Sequence, residues 1–143
     1  MKRTFFSLAL LLAVATLTAQ TKMTAREAAV KIADRILAST TYEFKNTKTG
    51  ETYKSVKKLP LDMDVKVACK YNNWHYTNGV TNMALMELGD KLGDKKYEKY
   101  VLKNMNFVFN EGNLDFFRKQ YDEAFKRDGW NAVRKLSWHM IFR

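Results

Sequence analysis

Residues able to bind a ligand are concentrated in one stretch, Asn73 to Val80, which reads NWHYTNGV. It combines two large aromatic rings (Trp74 and Tyr76) with an imidazole (His75) and an amide (Asn78). Aromatic rings stack on flat ligands such as sugars or bases, and amides hydrogen-bond hydroxyl groups, so these side chains suit a sugar-binding site. A structural role explains the same residues, because the aromatic rings also suit core packing and Asn78 also suits a helix cap.

The remaining residues with acid–base or metal-binding chemistry are few and scattered. His75 and His139 have no cysteine or carboxylate at ligand spacing, so the sequence predicts no metal site. Asp62 and Asp64 could bind a cation or act as acid and base, but solvation, or the capping of a helix that begins near Val65, is the simpler interpretation. The sequence contains no Ser/His/Asp order and no glycine-rich phosphate loop, and we predict no cofactor.

Residues 1–20 have the pattern of a secretory signal peptide. A basic start at Lys2 and Arg3 precedes a short apolar run, and small and polar residues follow, so we expect cleavage near Ala19 or Gln20. The apolar run is well short of the roughly 20 residues that span a bilayer. The sequence therefore predicts an exported protein, periplasmic or secreted, with no membrane segment once the leader is removed and a single domain over residues 21–143.

The composition indicates a globular, basic chain that cannot form an internal disulfide. Apolar residues make up 46% of the 143 residues, and Cys69 is the only cysteine. Without the two basic residues of the leader, 23 basic residues face 15 acidic ones, a net charge of +8. This charge favours anionic partners, and export makes nucleic acid the least suitable of them, leaving acidic lipid and acidic polysaccharide. A solvated lysine-rich surface explains the charge equally well.

The elements that must position the candidate site are predicted to be helices. The first helix begins with a capping box, Thr24 to Glu27, and extends to about Ala38. A short hairpin is predicted between Tyr42 and Val56. The second helix starts at the candidate site and ends at Leu92-Gly93-Asp94, a connection so short that the third helix must be antiparallel to the second.

Periodicity predicts which side chains these helices bury. The first helix presents an inward stripe of Ala25, Ala28, Ala29, Ile32, Ala33 and Ile36. The second helix presents Val80, Met83, Ala84 and Leu88. The third, capped by Asp94, presents Tyr97, Tyr100, Val101, Met105 and Val108. The fourth runs from Asn113 to Asp128-Gly129 and presents Leu114, Phe117, Tyr121, Ala124 and Phe125. Trp130 and Trp138 are interpreted as core residues of a less regular final segment.

That final segment is apolar up to Arg143, with no polar tail and no turn residues. Exposed apolar residues of this kind need a partner surface. We therefore expect the sequence to continue beyond Arg143 in a longer protein.

Three segments together resemble the unsaturated glucuronyl and rhamnogalacturonyl hydrolases, which are glycoside hydrolase families 88 and 105. They are Trp74 to Val80, the Leu88 to Tyr97 hairpin (LGDKLGDKKY), and Phe116 to Tyr121 (FFRKQY). The resemblance is to the family 105 type and covers roughly Thr24 to Arg143. It implies an all-α fold of antiparallel helix hairpins, here part of an (α/α)6 barrel.

The resemblance also implies a substrate and a reaction. The substrate is an oligosaccharide from pectin or rhamnogalacturonan that ends in a 4,5-unsaturated uronic acid. An aspartate protonates the C4=C5 bond, water adds at C5, and the sugar is released without a metal. The catalytic aspartate of such enzymes is expected beyond Arg143, so no catalytic residue is assigned in this chain and the chain alone should be inactive. Trp74, His75, Tyr76 and Asn78 are the predicted substrate-binding residues. The alternative function is a non-catalytic helical module that binds acidic glycan or a partner helix.

Overall fold

The computed structural model describes residues 23–73 and 75–138, apart from the side chain of Val108. The predicted signal peptide, Trp74 and His139 lie outside the described residues. The described chain falls into two units, the first ending at Ile32 and the second beginning at Ala33. Each is treated by itself.

Helices make up most of the described chain. They are α1 (Ala25–Ser39), α2 (Tyr76–Leu92), α3 (Lys96–Phe109) and α4 (Glu111–Val133). Three short strands lie between α1 and α2: β1 (Phe44–Asn46), β2 (Thr52–Tyr53) and β3 (Val65–Val67). The prediction of a mainly helical fold is confirmed, and the small sheet is a departure from an all-α fold.

In the first unit the predicted capping box is confirmed. Glu27 Oε2 accepts a hydrogen bond from Thr24 N at 2.8 Å, and Glu27 N donates to Thr24 Oγ1 at 3.2 Å. These reciprocal bonds satisfy backbone donors that the first turn of a helix leaves without partners. They fix the start of α1.

In the second unit the last turns of α1 pack with α2 and α3. The buried side chains of this cluster are Ala33, Leu85, Tyr97, Tyr100 and Val101. Of the predicted α1 stripe, Ala33 is buried and Ile36, half-buried, packs against the same cluster. Tyr97 Oη also donates to Asp34 Oδ1 at 2.9 Å. The Lys96 ammonium, 2.8 Å from the same oxygen, lowers the pKa of Asp34 by hydrogen bonding to its carboxylate.

The helices α2 and α3 form the predicted antiparallel hairpin. Asn82 contacts Asn104, and Gly89 lies against Tyr97, so residues that advance along one helix meet residues that recede along the other. Gly93 ends α2 in the left-handed conformation (φ 66°, ψ 25°), and its N–H lies within reach of the carbonyl of Asp90. A residue with a side chain is disfavoured there, which explains the glycine.

The predicted inward face of α2 is wrong at three of its four residues. The helix buries Asn82, Leu85 and Gly89, whereas Val80 is 60% exposed and Met83 is 74% exposed. Ala84 is exposed too, and Leu88, half-buried, packs against the cluster as predicted. Two contacts with α3 decide the orientation: Asn82 accepts a hydrogen bond from Asn104, and Gly89 has no side chain to hold Tyr97 away. Apolar periodicity cannot detect either contact, because neither residue is apolar.

An exposed apolar face of α2 results. Its members are Tyr76, Val80 and Met83, spaced for one helix face. We call these three residues the apolar strip. Leu102 and Met105 of α3 are exposed as well. Met105 was predicted to be inward, and its exposure is a second correction, whereas Tyr97, Tyr100 and Val101 are buried as predicted.

The start of α3 differs from the prediction. Lys95, and not Asp94, is the N-cap residue of α3, and Asp94 Oδ1 accepts a hydrogen bond from Lys96 N at 3.0 Å.

The sheet has the strand order β2-β1-β3, with both pairs antiparallel. The β1–β2 hairpin confirms the predicted one. The prediction of a helix that begins near Val65 is wrong. Val65 is the first residue of strand β3, where it is fully buried and pairs with Asn46 of β1. The sheet and α4 share a core of Phe44, Val56, Val65, Phe116, Phe117 and Trp138.

Helix α4 begins earlier than predicted. Asn110 is its N-cap, with Oδ1 accepting from Asn113 N at 3.0 Å, so Asn113 is a buried helical residue and not the cap. The predicted stop at Asp128-Gly129 is a kink, since Gly129 has φ 52° and ψ −141° and helical residues follow it. Beyond the kink, Trp138 is buried as predicted and Trp130 is exposed, which corrects its interpretation as a core residue.

Candidate functional site

The candidate site lies where the chain enters α2. His75 is the N-cap, in an extended conformation (φ −75°, ψ 138°), and its Nδ1 lies 2.9 Å from Thr77 Oγ1 and 3.5 Å from Thr77 N. When Nδ1 accepts from the backbone, the proton of a neutral imidazole is on Nε2, which is then the ring atom left to donate. Tyr76, the first residue of α2, is 77% exposed, and its ring centroid lies 5.0 Å from that of His75.

Asn78 holds the entry loop in place. Its Nδ2 lies 2.8 Å from the carbonyl of Lys70, 3.0 Å from the carbonyl of Asn73 and 2.6 Å from Asn73 Oδ1. An amide nitrogen has two hydrogens, and these three acceptors use both. Asn78 therefore neither caps α2 nor has a free donor for a sugar, and its nitrogen orders the loop that carries His75 and Tyr76.

A concavity of about 200 Å³ opens at this junction, entirely within the second unit. Pockets for drug-sized ligands begin at about 300 Å³, so this one admits a small ligand or one end of a longer one. It brings together three of the four predicted binding residues, while Trp74 lies outside the described residues. We call it the amide cavity, and it is lined by Asn72, Asn73, His75, Tyr76, Asn78, Gly79, Asn82, Asn104, Met105 and Phe109.

Two asparagines of the amide cavity are buried, at 4% exposure for Asn72 and 3% for Asn104. The Asn72 nitrogen donates to the carbonyl of Thr41 at 2.8 Å, and the Asn104 nitrogen donates to Asn82 Oδ1 at 3.2 Å. The Oδ1 atoms of Asn72 and Asn104 are buried without a hydrogen-bond partner in the described chain. Most buried polar atoms in native proteins have one, so this pair requires an explanation.

Our sequence interpretation missed both asparagines. A signal for Asn104 was present, because it follows Tyr97 and Val101 at the spacing of one helix face, and those residues were predicted to be buried. A polar residue on an inward face marks either a hydrogen-bond network or a site. No comparable signal marks Asn72, which lies in a loop.

The lining carries little formal charge. None of its described residues is a lysine, arginine, aspartate or glutamate. In residues 23–73 and 75–138, no group of three or more histidine, cysteine, aspartate or glutamate side chains is placed to hold a metal ion. Asp64, a candidate for cation binding or acid–base chemistry, does not line the amide cavity. Its carboxylate accepts hydrogen bonds from Thr47 Oγ1 at 2.7 Å and from Ser137 N at 2.9 Å. That carboxylate joins the sheet to the segment after α4.

Comparison of the chain with protein-family models, curated proteins and solved structures finds no match. Within the described residues, no helix has the length and apolar character needed to cross a bilayer.

Proposed function

We propose that this chain is the N-terminal part of an exported glycoside hydrolase that acts on unsaturated uronyl oligosaccharides from pectin or rhamnogalacturonan. The observation that carries the proposal is the amide cavity at the start of α2. It gathers His75, Tyr76 and Asn78 from the stretch that resembles the family 88 and 105 enzymes. An exposed ring beside several amides has the character of a saccharide site, in which apolar faces and hydroxyl groups are recognised together.

The proposed reaction is a hydration. A proton is added to C4 of the 4,5-unsaturated uronic acid and water adds its oxygen to C5. The hemiketal that forms rearranges, and the neighbouring sugar leaves as an alcohol. In this scheme the described residues bind and orient the sugar, and the acid is a carboxyl group outside this chain. Ordinary glycosidases use two carboxyl groups on opposite sides of the scissile bond, and the uncharged lining of the amide cavity suits a binding role instead.

The apolar strip supports the larger architecture in the proposal. Val80 and Met83 are exposed on one side of an antiparallel hairpin. In an (α/α)6 barrel such a hairpin packs against neighbouring hairpins, which would cover these residues. The same strip is the observation that favours the second candidate function, a non-catalytic module that binds a partner helix.

The test uses the protein encoded by the complete reading frame and the unsaturated disaccharide that a pectin or rhamnogalacturonan lyase releases. We expect the ultraviolet absorbance of the conjugated C4=C5 bond to disappear as the free sugar is released. The saturated disaccharide serves as the control substrate and should not be cleaved. No loss of absorbance at any enzyme concentration, or a reading frame that stops at Arg143, would contradict the hydrolase and leave the binding module.

A further inference from the structure

Asn72 and Asn104 both line the amide cavity, and each has a buried side-chain oxygen, Oδ1, that accepts no hydrogen bond within the described chain. We propose that these two oxygens accept hydrogen bonds from uncharged hydroxyl groups of the saccharide, so that the cavity selects a neutral, hydroxyl-bearing part of the substrate and excludes its carboxylate. This inference rests on the proposed function and assigns the asparagines as specificity-determining residues.

The direction of the hydrogen bonds follows from how each amide is held. The nitrogen of Asn72 is bound to the Thr41 carbonyl and the nitrogen of Asn104 to Asn82 Oδ1, which fixes the orientation of both amide groups. The carbonyl oxygens are therefore the free ends. An amide oxygen is only an acceptor, so the group that satisfies it must be a donor.

The kind of donor follows from the charges and rings around it. A carboxylate is itself an acceptor and would be repelled by the two oxygens, and no lysine or arginine lines the described cavity to offset its charge. A hard cation such as Ca²⁺ takes six to eight oxygen ligands, including carboxylates, and the described lining provides none of the latter. A sugar hydroxyl needs neither a neighbouring positive charge nor carboxylate ligands. The exposed Tyr76 ring beside the amides can cover the C–H face of the same sugar.

A matched pair of ligands tests the selectivity on the unaltered chain. Methyl α-D-galactopyranoside and methyl α-D-galactopyranosiduronic acid differ only at C6, where the first has a hydroxymethyl group and the second a carboxylate. We expect ligand-observed NMR titration to show that the neutral glycoside binds about tenfold more tightly than the uronide. A tenfold difference in affinity corresponds to about one hydrogen bond.

A matched pair of variants tests the assignment. Asn104→Leu should weaken binding of the neutral glycoside by about tenfold. Asn106→Leu, an exposed position on the same helix and outside the cavity lining, should leave the affinity unchanged. Equal or tighter binding of the uronide by the unaltered chain, which needs no folded variant, would overturn the inference. An unchanged affinity in a folded Asn104→Leu protein would overturn it too. Neither result tests the proposed hydrolase activity, which is measured separately by turnover of the unsaturated disaccharide.

Discussion

Replacing Gln120 with leucine should lower the free energy of unfolding by about 3–5 kcal/mol. Gln120 lies in α4 at 2% exposure and holds three groups at once. Its Nε2 donates to the carbonyls of Leu61 and Met63 at 2.9 and 2.8 Å, and its Oε1 accepts from the indole N–H of Trp138. Leucine has about the same bulk and no polar atom, so it would break one buried hydrogen bond, at about 1–3 kcal/mol, and two partly buried ones, at about 0.5–1.5 kcal/mol each.

The neighbouring position provides the control for this prediction. Lys119 is exposed and forms an ion pair with Asp115, one helical turn away, at 2.7 Å. Pairs of this kind contribute about 0.3–0.5 kcal/mol, so Lys119→Leu should change the urea midpoint very little. Urea unfolding followed by circular dichroism measures both variants. Equal midpoints for the two would mean that Gln120 does not join α4 to the loop before β3 and to the segment that carries Trp138.

Charging the apolar strip should convert the chain from an associated to a monomeric state. Tyr76, Val80 and Met83 expose large apolar side chains at consecutive turns of α2. Contiguous exposed apolar surface drives association when no partner covers it. We expect the unaltered chain to self-associate, and we expect Val80→Lys combined with Met83→Lys to sediment as a monomer in analytical ultracentrifugation.

A charge-matched variant separates the loss of apolar surface from the gain of charge. The double variant adds two positive charges, and Glu87→Lys adds the same net charge at an exposed position of the same helix. Glu87 is only in a solvent-exposed ion pair with Lys91, at 3.3 Å, so its replacement should have a small effect on stability. Glu87→Lys should therefore still associate. If the unaltered chain is monomeric, or if both variants dissociate to the same extent, the apolar strip does not drive self-association.

Local signals in the sequence predicted the elements well. The capping box at Thr24, the glycine that ends α2 and the break at Gly129 all act within a few residues, so the chain specifies them without reference to the rest of the fold. The turn residues between Asn46 and Gly50 likewise indicated the β1–β2 hairpin. Strand β3 was missed because its three residues are too few to show a period, and its pairing partner is distant in sequence.

The choice of buried faces was predicted less well, for a physical reason. Apolar periodicity assumes that the buried face is the most apolar one. In α2 the buried face contains Asn82 and Gly89, which a polar partner and a close helix contact select, and apolar Val80 and Met83 remain exposed. The same limit applies to the site. The sequence indicated His75 and Tyr76 by their types, whereas Asn72 and Asn104 reach the cavity only through the packing of the loop and α3 against α2.

If the saccharide binds in the amide cavity at the start of α2, its binding should be visible at the residues around that cavity. Amide chemical-shift mapping of the chain with the unsaturated uronyl disaccharide tests this directly. We expect shifts to change at residues 72–82 and 104–109 and to stay unchanged in the sheet and in the region of Trp130. Changes centred on α4, or no saturable change at any position, would contradict it.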